Sequence, residues 1–292
     1  MQRKIAIFGS GGQLGVELRR EFVQRGNAVV GWERMHVDIT SASAVEQAIA
    51  SFDPEIVINA AAYNQVDVAE NEPHAAYQVN ALAVRNLALA CRQCGAQLVH
   101  FSTDYVFDGR ASQPYREEDP THPLGAYAVS KLAGEHYAQA YLDDPLIVRT
   151  SGVFGPGGLQ TARGNFIELM LRMAGENKII RVVEDHVGSP TYAPALAART
   201  ADLVEKGIGG IIHCGGGTAI SWFHYAELIF REAGLTPALR PTTEREYRTP
   251  ARRPKYTPLS NDKLYSLGIE AMPPLEVAVR SYLQLRQRML AA

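Results

Sequence analysis

Tyr127 and Lys131 lie four residues apart in the run Tyr127-Ala128-Val129-Ser130-Lys131. On a helix this spacing puts both on one face, so a phenol and an ammonium can enter the same cleft. A neighbouring cation favours the phenolate and draws its pKa down from about 10. The phenol then serves as an acid or base near neutral pH. An exposed helical pair is the bland alternative for a spacing this common. The pair gains meaning from Phe101-Ser102-Thr103-Asp104-Tyr105, which closes an apolar strand. Open α/β sheets bind ligands beyond such strand ends, and the Thr103 hydroxyl there can hold a substrate carbonyl or alcohol.

A second chemical signal opens the chain. Ile5–Phe8 runs directly into Gly9-Ser10-Gly11-Gly12-Gln13-Leu14-Gly15 and then an amphipathic stretch. Gly9 permits a tight turn, Gly12 lets a pyrophosphate approach the backbone, and Gly15 lets the helix pack closely on the sheet. The helix N-terminus then offers N–H groups and the positive end of its dipole to phosphates. Strand, glycine turn and helix occur in the order that a dinucleotide site requires. The next strand ends at Glu33-Arg34. Glu33 suits a ribose hydroxyl and hence NAD, Arg34 a 2′-phosphate and hence NADP, so the preference stays open. Asp38 with Ile39 can bracket an adenine, and a helix N-terminal aspartate is an equal alternative.

These groups need a frame. Apolar runs at Lys4–Phe8, Ala28–Trp32, Glu55–Asn59, Gln97–Ser102 and Pro145–Arg149 read as buried strands. Helical patterns separate them at Gln13–Arg25, Ala42–Ser51, Pro73–Cys94 and Tyr127–Tyr141. The alternation predicts an α/β fold, a Rossmann-like doubly wound parallel sheet with helices on both faces. Further on, Phe166–Ala174, Ala193–Lys206, Ser221–Ala233 and Leu275–Arg288 read as helices and Gly210–Cys214 as a strand. Phe154–Gly164 and Pro237–Pro258 read as loops. Residues 1–150 with about 187–215 are expected to form the NAD(P)-binding domain. About 151–186 and 216–292 are expected to form a smaller, discontinuous substrate domain.

Composition narrows the function. The 292 residues are 46% hydrophobic and 21% charged, and 29 basic against 31 acidic residues leave a net charge of −2. That balance, without a basic block, argues against nucleic acid as a partner. No apolar run has membrane-span length and no signal peptide opens the chain, so a cytoplasmic protein is expected. Three cysteines cannot build a disulfide framework, and Cys91-x-x-Cys94 reads as small helical residues in a reducing compartment.

Taken together, Gly9–Gly15, Asn59–Ala62, Val66–Glu70, Ser102–Gly109, Tyr127–Lys131, Arg149–Ser151, Gly188–Thr191 and Ala251–Pro254 resemble the extended short-chain dehydrogenase/reductase family. Within it they resemble the dTDP-4-dehydrorhamnose reductases. They span nearly the whole chain in the family's order. The resemblance implies reduction of the C4 ketone of dTDP-4-dehydro-L-rhamnose to dTDP-L-rhamnose with NADPH or NADH. It gives Tyr127 the proton for O4, Thr103 the hold on O4, and Lys131 the tuning of Tyr127 and a hold on the cofactor ribose. Gly12, Gln13 and Leu14 would meet the pyrophosphate, Asp38 and Ile39 the adenine, and Ala61, Ala62 and Tyr63 the cofactor ribose and nearby groups. Val66, Asp67, Thr103, Asp104, Gly152 and Arg253 fall to the dTDP-sugar. Arg253 suits bidentate recognition of a diphosphate.

The chain also departs from its relatives. Asp104 is followed by Tyr105 rather than a second carboxylate, which argues against dehydratase chemistry, since eliminating water needs an acid and a base. Gly152 stands where relatives often carry Trp, and the loop Gly155–Gly164 looks longer than theirs. Reduction of another 4-keto nucleotide sugar, or a noncatalytic NADP-binding regulatory subunit, are the alternatives. Mg2+ is not expected. Glu17 matches a metal position of some relatives, but a solvated helix glutamate is the reading here. His186 reads as a loop residue rather than a metal ligand, and Ser221 as a helix cap ahead of core aromatics. A homodimer is compatible with the sequence.

Overall fold

The structure is a computed structural model that describes residues 2–161, 164–176 and 178–291. Its first half follows the sequence pattern closely. The order is β1 (Lys4–Phe8), α1 (Gln13–Gln24), β2 (Ala28–Trp32), α2 (Ala42–Phe52), β3 (Ile56–Asn59), α3 (Val66–Ala69), α4 (Pro73–Tyr77), α5 (Ala83–Cys94), β4 (Gln97–Thr103), α6 (Ala126–Tyr141) and β5 (Leu146–Thr150). The second half holds α7 (Phe166–Ala174), β6 (Ile180–Val183), β7 (Val187–Gly188), α8 (Ala193–Glu205), β8 (Gly210–His213), β9 (Ile220–Ser221), α9 (Trp222–Ala233), β10 (Leu239–Thr242), α10 (Asp262–Ser266) and α11 (Leu275–Ala291).

Six strands pair in the order β2-β1-β3-β4-β5-β8, every pair parallel. A parallel sheet is covered on both faces, and this is why its strands are apolar along their whole length. Ile5, Ala6, Ile7 and Phe8 are all completely buried. Leu18 and Phe22 of α1 pack with Leu196 and Leu203 of α8 on one face. Val45 and Ile49 of α2, Val84 and Leu87 of α5 and Ala138 of α6 cover the other. The order reverses between β1 and β3, so a crevice opens beyond their carboxyl ends. A third core joins Phe154, Ile167, Ile180, Tyr225, Val279 and Tyr282 from the chain after β5. Among the described residues, no helix is long and apolar enough to cross a membrane.

Three expectations need correction. The stretch Pro237–Pro258 is not all loop, because Leu239–Thr242 forms β10 and pairs in parallel with β6. Its Arg and Pro hide a short strand whose partner lies about sixty residues upstream. Pro73–Cys94 is helical throughout, but Gln78–Leu82 is a π turn between α4 and α5. In Phe154–Gly164, residues Pro156–Gln160 form a 3-10 turn, while Ala162 and Arg163 of that loop lie outside the described residues.

Candidate active site

The glycine turn follows β1 and faces Ala60 and Ala61 after β3. Gly9 has a left-handed φ of +76°, and a Cβ there would stand 2.6 Å from the Ala61 nitrogen. A Cβ on Gly15 would stand 2.1 Å from the Gly9 carbonyl oxygen, so α1 can start this close only with glycine. Gly12 differs. A Cβ there would meet only the Gly9 carbonyl, at 3.2 Å. Gly12 is also the N-cap of α1 and supplies no side-chain cap. The helix start is thus a cradle of backbone N–H groups, a fit for a dinucleotide's phosphates.

The Gln13 side chain turns away from that cradle. Its Nε2 donates to the Val153 carbonyl at 2.6 Å, and its Oε1 accepts from Asn165 Nδ2 at 3.1 Å. Gln13 therefore leaves only its backbone in the cradle, while Leu14 packs on the core. The exposed Glu33 carboxylate lies beside Gly11, 2.7 Å from where a Cβ would stand. Arg34 is 90% exposed and 3.7 Å from Asp38. The Asp38 carboxylate accepts from the Thr40 N–H and hydroxyl at 2.9 and 2.8 Å, and those bonds hold its pKa down. This is the local turn role, just ahead of Ser41 as the cap of α2. Ile39 is buried in the core.

Beyond β4 the reactive groups gather. Thr103 accepts from the Tyr105 N–H at 3.2 Å and donates to Asp104 Oδ1 at 3.1 Å. Asp104 is 3% exposed, and its Oδ2 accepts from Ser151 at 2.8 Å. Burial pushes Asp104 up to about 6, against the hydroxyls of Thr257, Ser151 and Thr103, which favour its ionised form. Tyr127 is half-buried in the first turn of α6, with its ring edge-on to Tyr105 at 6.3 Å. Lys131, one turn on, is buried, and its Nζ donates to the Phe101 carbonyl of β4 at 2.6 Å. Burial pulls it down to about 8, with Glu135 opposing.

Two residues that the sequence reading left without a role position this helix. Glu70 Oε1 accepts from the Ala126 N–H at 2.8 Å and so caps α6. Gly125 leaves room for it, since a Cβ there would stand 2.6 Å from that oxygen. Asn80, on the π turn, accepts from the Tyr63 N–H at 2.8 Å and donates to both the Tyr63 carbonyl and Ser130 Oγ at 3.0 Å. It ties the loop after β3, with Ala61, Ala62 and Tyr63, to the helix between Tyr127 and Lys131. A polar residue on a long amphipathic segment carries no local sign of such a role. Deeper still, Glu135 binds Arg149 at 2.7 Å with both side chains at least 97% buried, and also accepts from Ser102.

On the expected sugar side, Arg253 is already engaged. It holds Asp67 through two bonds of 2.9 and 2.8 Å and donates to Thr249 at 2.5 Å. The guanidinium is not an open fork for a diphosphate, because Asp67, next to Val66 at the start of α3, occupies it. Gly152 has φ +50°, and a Cβ there would stand 3.3 Å from the Trp222 indole. An aromatic ring therefore borders this position after all, from α9. Ser221 caps that helix, accepting from the His224 N–H.

One further expectation fails. Glu17 is 2% exposed rather than solvated, binds Arg20 at 3.0 Å, and has its pKa raised by burial. It faces inward because α1 packs on the loop at Gly157 as well as on the sheet. His186 lies in the loop between β6 and β7, as expected, and is buried beside Asp185 and Glu244. Cys91 is buried and Cys94 exposed, and burial pushes the Cys91 thiol up, as expected for a core residue.

Known proteins share this sequence pattern and fold. Residues 3–288 match the family profile described as RmlD substrate binding domain. The chain is 40% identical to a dTDP-4-dehydrorhamnose reductase of Streptomyces griseus over 91% of this chain and 88% of that one. It is 39% identical to a spore coat polysaccharide biosynthesis protein of Bacillus subtilis, over 97% and 98%. A crystal structure of dTDP-4-dehydrorhamnose reductase from Bacillus anthracis in complex with NADP superposes with a TM-score of 0.92. It is 34% identical and covers 97% of this chain and 99% of that one.

Proposed function

The chain belongs to the RmlD substrate binding domain family, and from that premise we propose that it is a dTDP-4-dehydrorhamnose reductase. It reduces the C4 ketone of dTDP-4-dehydro-L-rhamnose to dTDP-L-rhamnose for polysaccharide synthesis. The observation that carries the reading is that Lys131 is anchored to β4 just ahead of Thr103, with Tyr127 one turn earlier on α6 and its ring edge-on to Tyr105, in a fold whose glycine turn leaves a cradle of backbone N–H groups. Residues 1–150 with 187–215 serve the cofactor, and 151–186 with 216–292 serve the sugar. We place the protein in the cytoplasm, with its NAD(P)H and dTDP-sugar, and leave nucleic acid aside on charge.

The backbone N–H groups of Gly12, Gln13 and Leu14 would hold the pyrophosphate, and Glu33, Arg34, Ala61, Ala62 and Tyr63 would line the riboses. A nicotinamide bound there supplies the hydride for C4. Tyr127 gives its hydroxyl proton to O4 as the alcohol forms, and the buried Lys131 ammonium stabilises the phenolate left behind. Thr103 orients O4. Its hydroxyl proton lies on Asp104 Oδ1 in the free protein and would turn to the ketone oxygen once the sugar binds. Asp67 fixes Arg253 at the edge of the nucleotide side.

The test is NADPH oxidation with enzymatically made dTDP-4-dehydrorhamnose. Turnover by the wild type, with kcat lowered at least about a hundredfold in Tyr127→Phe and NADPH binding retained, is the expected result. Tight NADPH binding without turnover would instead identify a regulatory subunit. Full activity in Tyr127→Phe would reject the proton donor.

A further inference from the structure

Away from this site, three side chains converge beside the segment that carries Arg253. Asp185 and His186 follow β6, and Glu244 follows its partner strand β10. One ligand-type atom from each lies within 4.8 Å of the others. The strand pairing brings them together. The Glu184 N–H donates to the Thr242 carbonyl at 2.9 Å, and the Glu244 N–H donates to Asp185 Oδ1 at 3.0 Å.

His186 sets this cluster apart from ordinary surface carboxylates. Its side chain is 7% exposed, yet its Nε2 has no hydrogen-bond partner among the described residues and points to Glu244 Oε2 at 3.8 Å. An unpartnered buried polar atom is costly, so its retention calls for a reason. The Lys255 ammonium stands over the carboxylates, 3.0 Å from Asp185 and 3.7 Å from Glu244, on a side chain that is 56% exposed.

We propose that Asp185, His186 and Glu244 form a binding site for a divalent transition metal ion, which enters by displacing the Lys255 ammonium. One imidazole and two carboxylates are a nitrogen–oxygen set suited to Zn2+ or Mn2+. Two carboxylates balance the charge of the ion once the lysine has left. Bonds of about 2.0–2.2 Å place the ligand atoms of a tetrahedral ion roughly 3.3–3.6 Å apart. The present cluster reaches that by a small inward movement of Asp185 and Glu244, both partly open to solvent.

The test uses the full chain, titrated with MnCl2 by electron paramagnetic resonance and melted with and without ZnCl2. Zinc is expected to raise the melting temperature of the wild type. Lys255→Ala, which removes the competing cation, is expected to bind Mn2+ about tenfold more tightly, and adding His186→Gln to Lys255→Ala to weaken it by at least about tenfold. Should the histidine variant not fold, Glu244→Gln in the Lys255→Ala background makes the same measurement. No binding by any form, or equal binding by wild type, Lys255→Ala and the double variants, overturns the site.

Discussion

Lys131 shows how burial sets the working range of a single group. Its ammonium is fixed on the Phe101 carbonyl and its pKa falls to about 8. The charge that supports the Tyr127 phenolate is therefore present below pH 8 and lost above it. We expect kcat to fall as pH rises through about 8, measured from pH 6 to 10 with saturating substrates. A flat profile across that range would remove the ammonium from the mechanism. Glu33 makes a different point, since it is exposed and lies beside Gly11. A carboxylate there repels a 2′-phosphate. Glu33→Gln should raise the kcat/KM ratio of NADPH to NADH about fivefold, on the scale of the ~1 kcal/mol that two charges 4 Å apart feel in water.

At the scale of the element, one glycine motif separates into two functions. A Cβ on Gly15 would collide with the Gly9 backbone, whereas one on Gly12 would meet a single carbonyl at 3.2 Å. Gly15→Ala should therefore destabilise the fold by about 1–3 kcal/mol, as overpacking does, in a denaturant titration. Gly12→Val should stay folded and lose NADPH binding, followed by the fluorescence of the dinucleotide. If both variants bind NADPH like the wild type, the cradle is elsewhere. Helix α6 belongs to this scale too, because its start rests on Glu70 and its middle on Asn80, neither of them on the helix. The catalytic spacing from Tyr127 to Lys131 is local, but its placement against β4 is not.

The whole molecule is joined through Gln13. Its amide spans from the first turn of α1 to the Val153 carbonyl and to Asn165, which donates in turn to Tyr282 of α11. Phosphates held by the backbone at Gln13, as proposed, would thus sit on the same residue that ties down the third core. Gln13→Ala should cost about 1–2 kcal/mol of stability and raise KM for the sugar more than Kd for NADPH. Equal effects on both ligands would mean that the tie is only structural.

The sequence alone determined the alternating parallel sheet, the glycine cradle and the Tyr127–Lys131 spacing. Each is written in local terms: unbroken apolar runs for strands covered on both faces, absent Cβ atoms for a close turn, and the helical repeat for a shared face. Only the tertiary structure decided that Asp67 occupies Arg253, that the Gln13 amide binds the Val153 carbonyl, that Glu17 faces inward and that Asp185, His186 and Glu244 meet. β6 and β10 belong with these, since neither strand is stable without a partner distant in the chain. The physical reason is shared. A residue type and its spacing fix what a side chain can do locally, while its partner is chosen by packing between segments far apart in sequence.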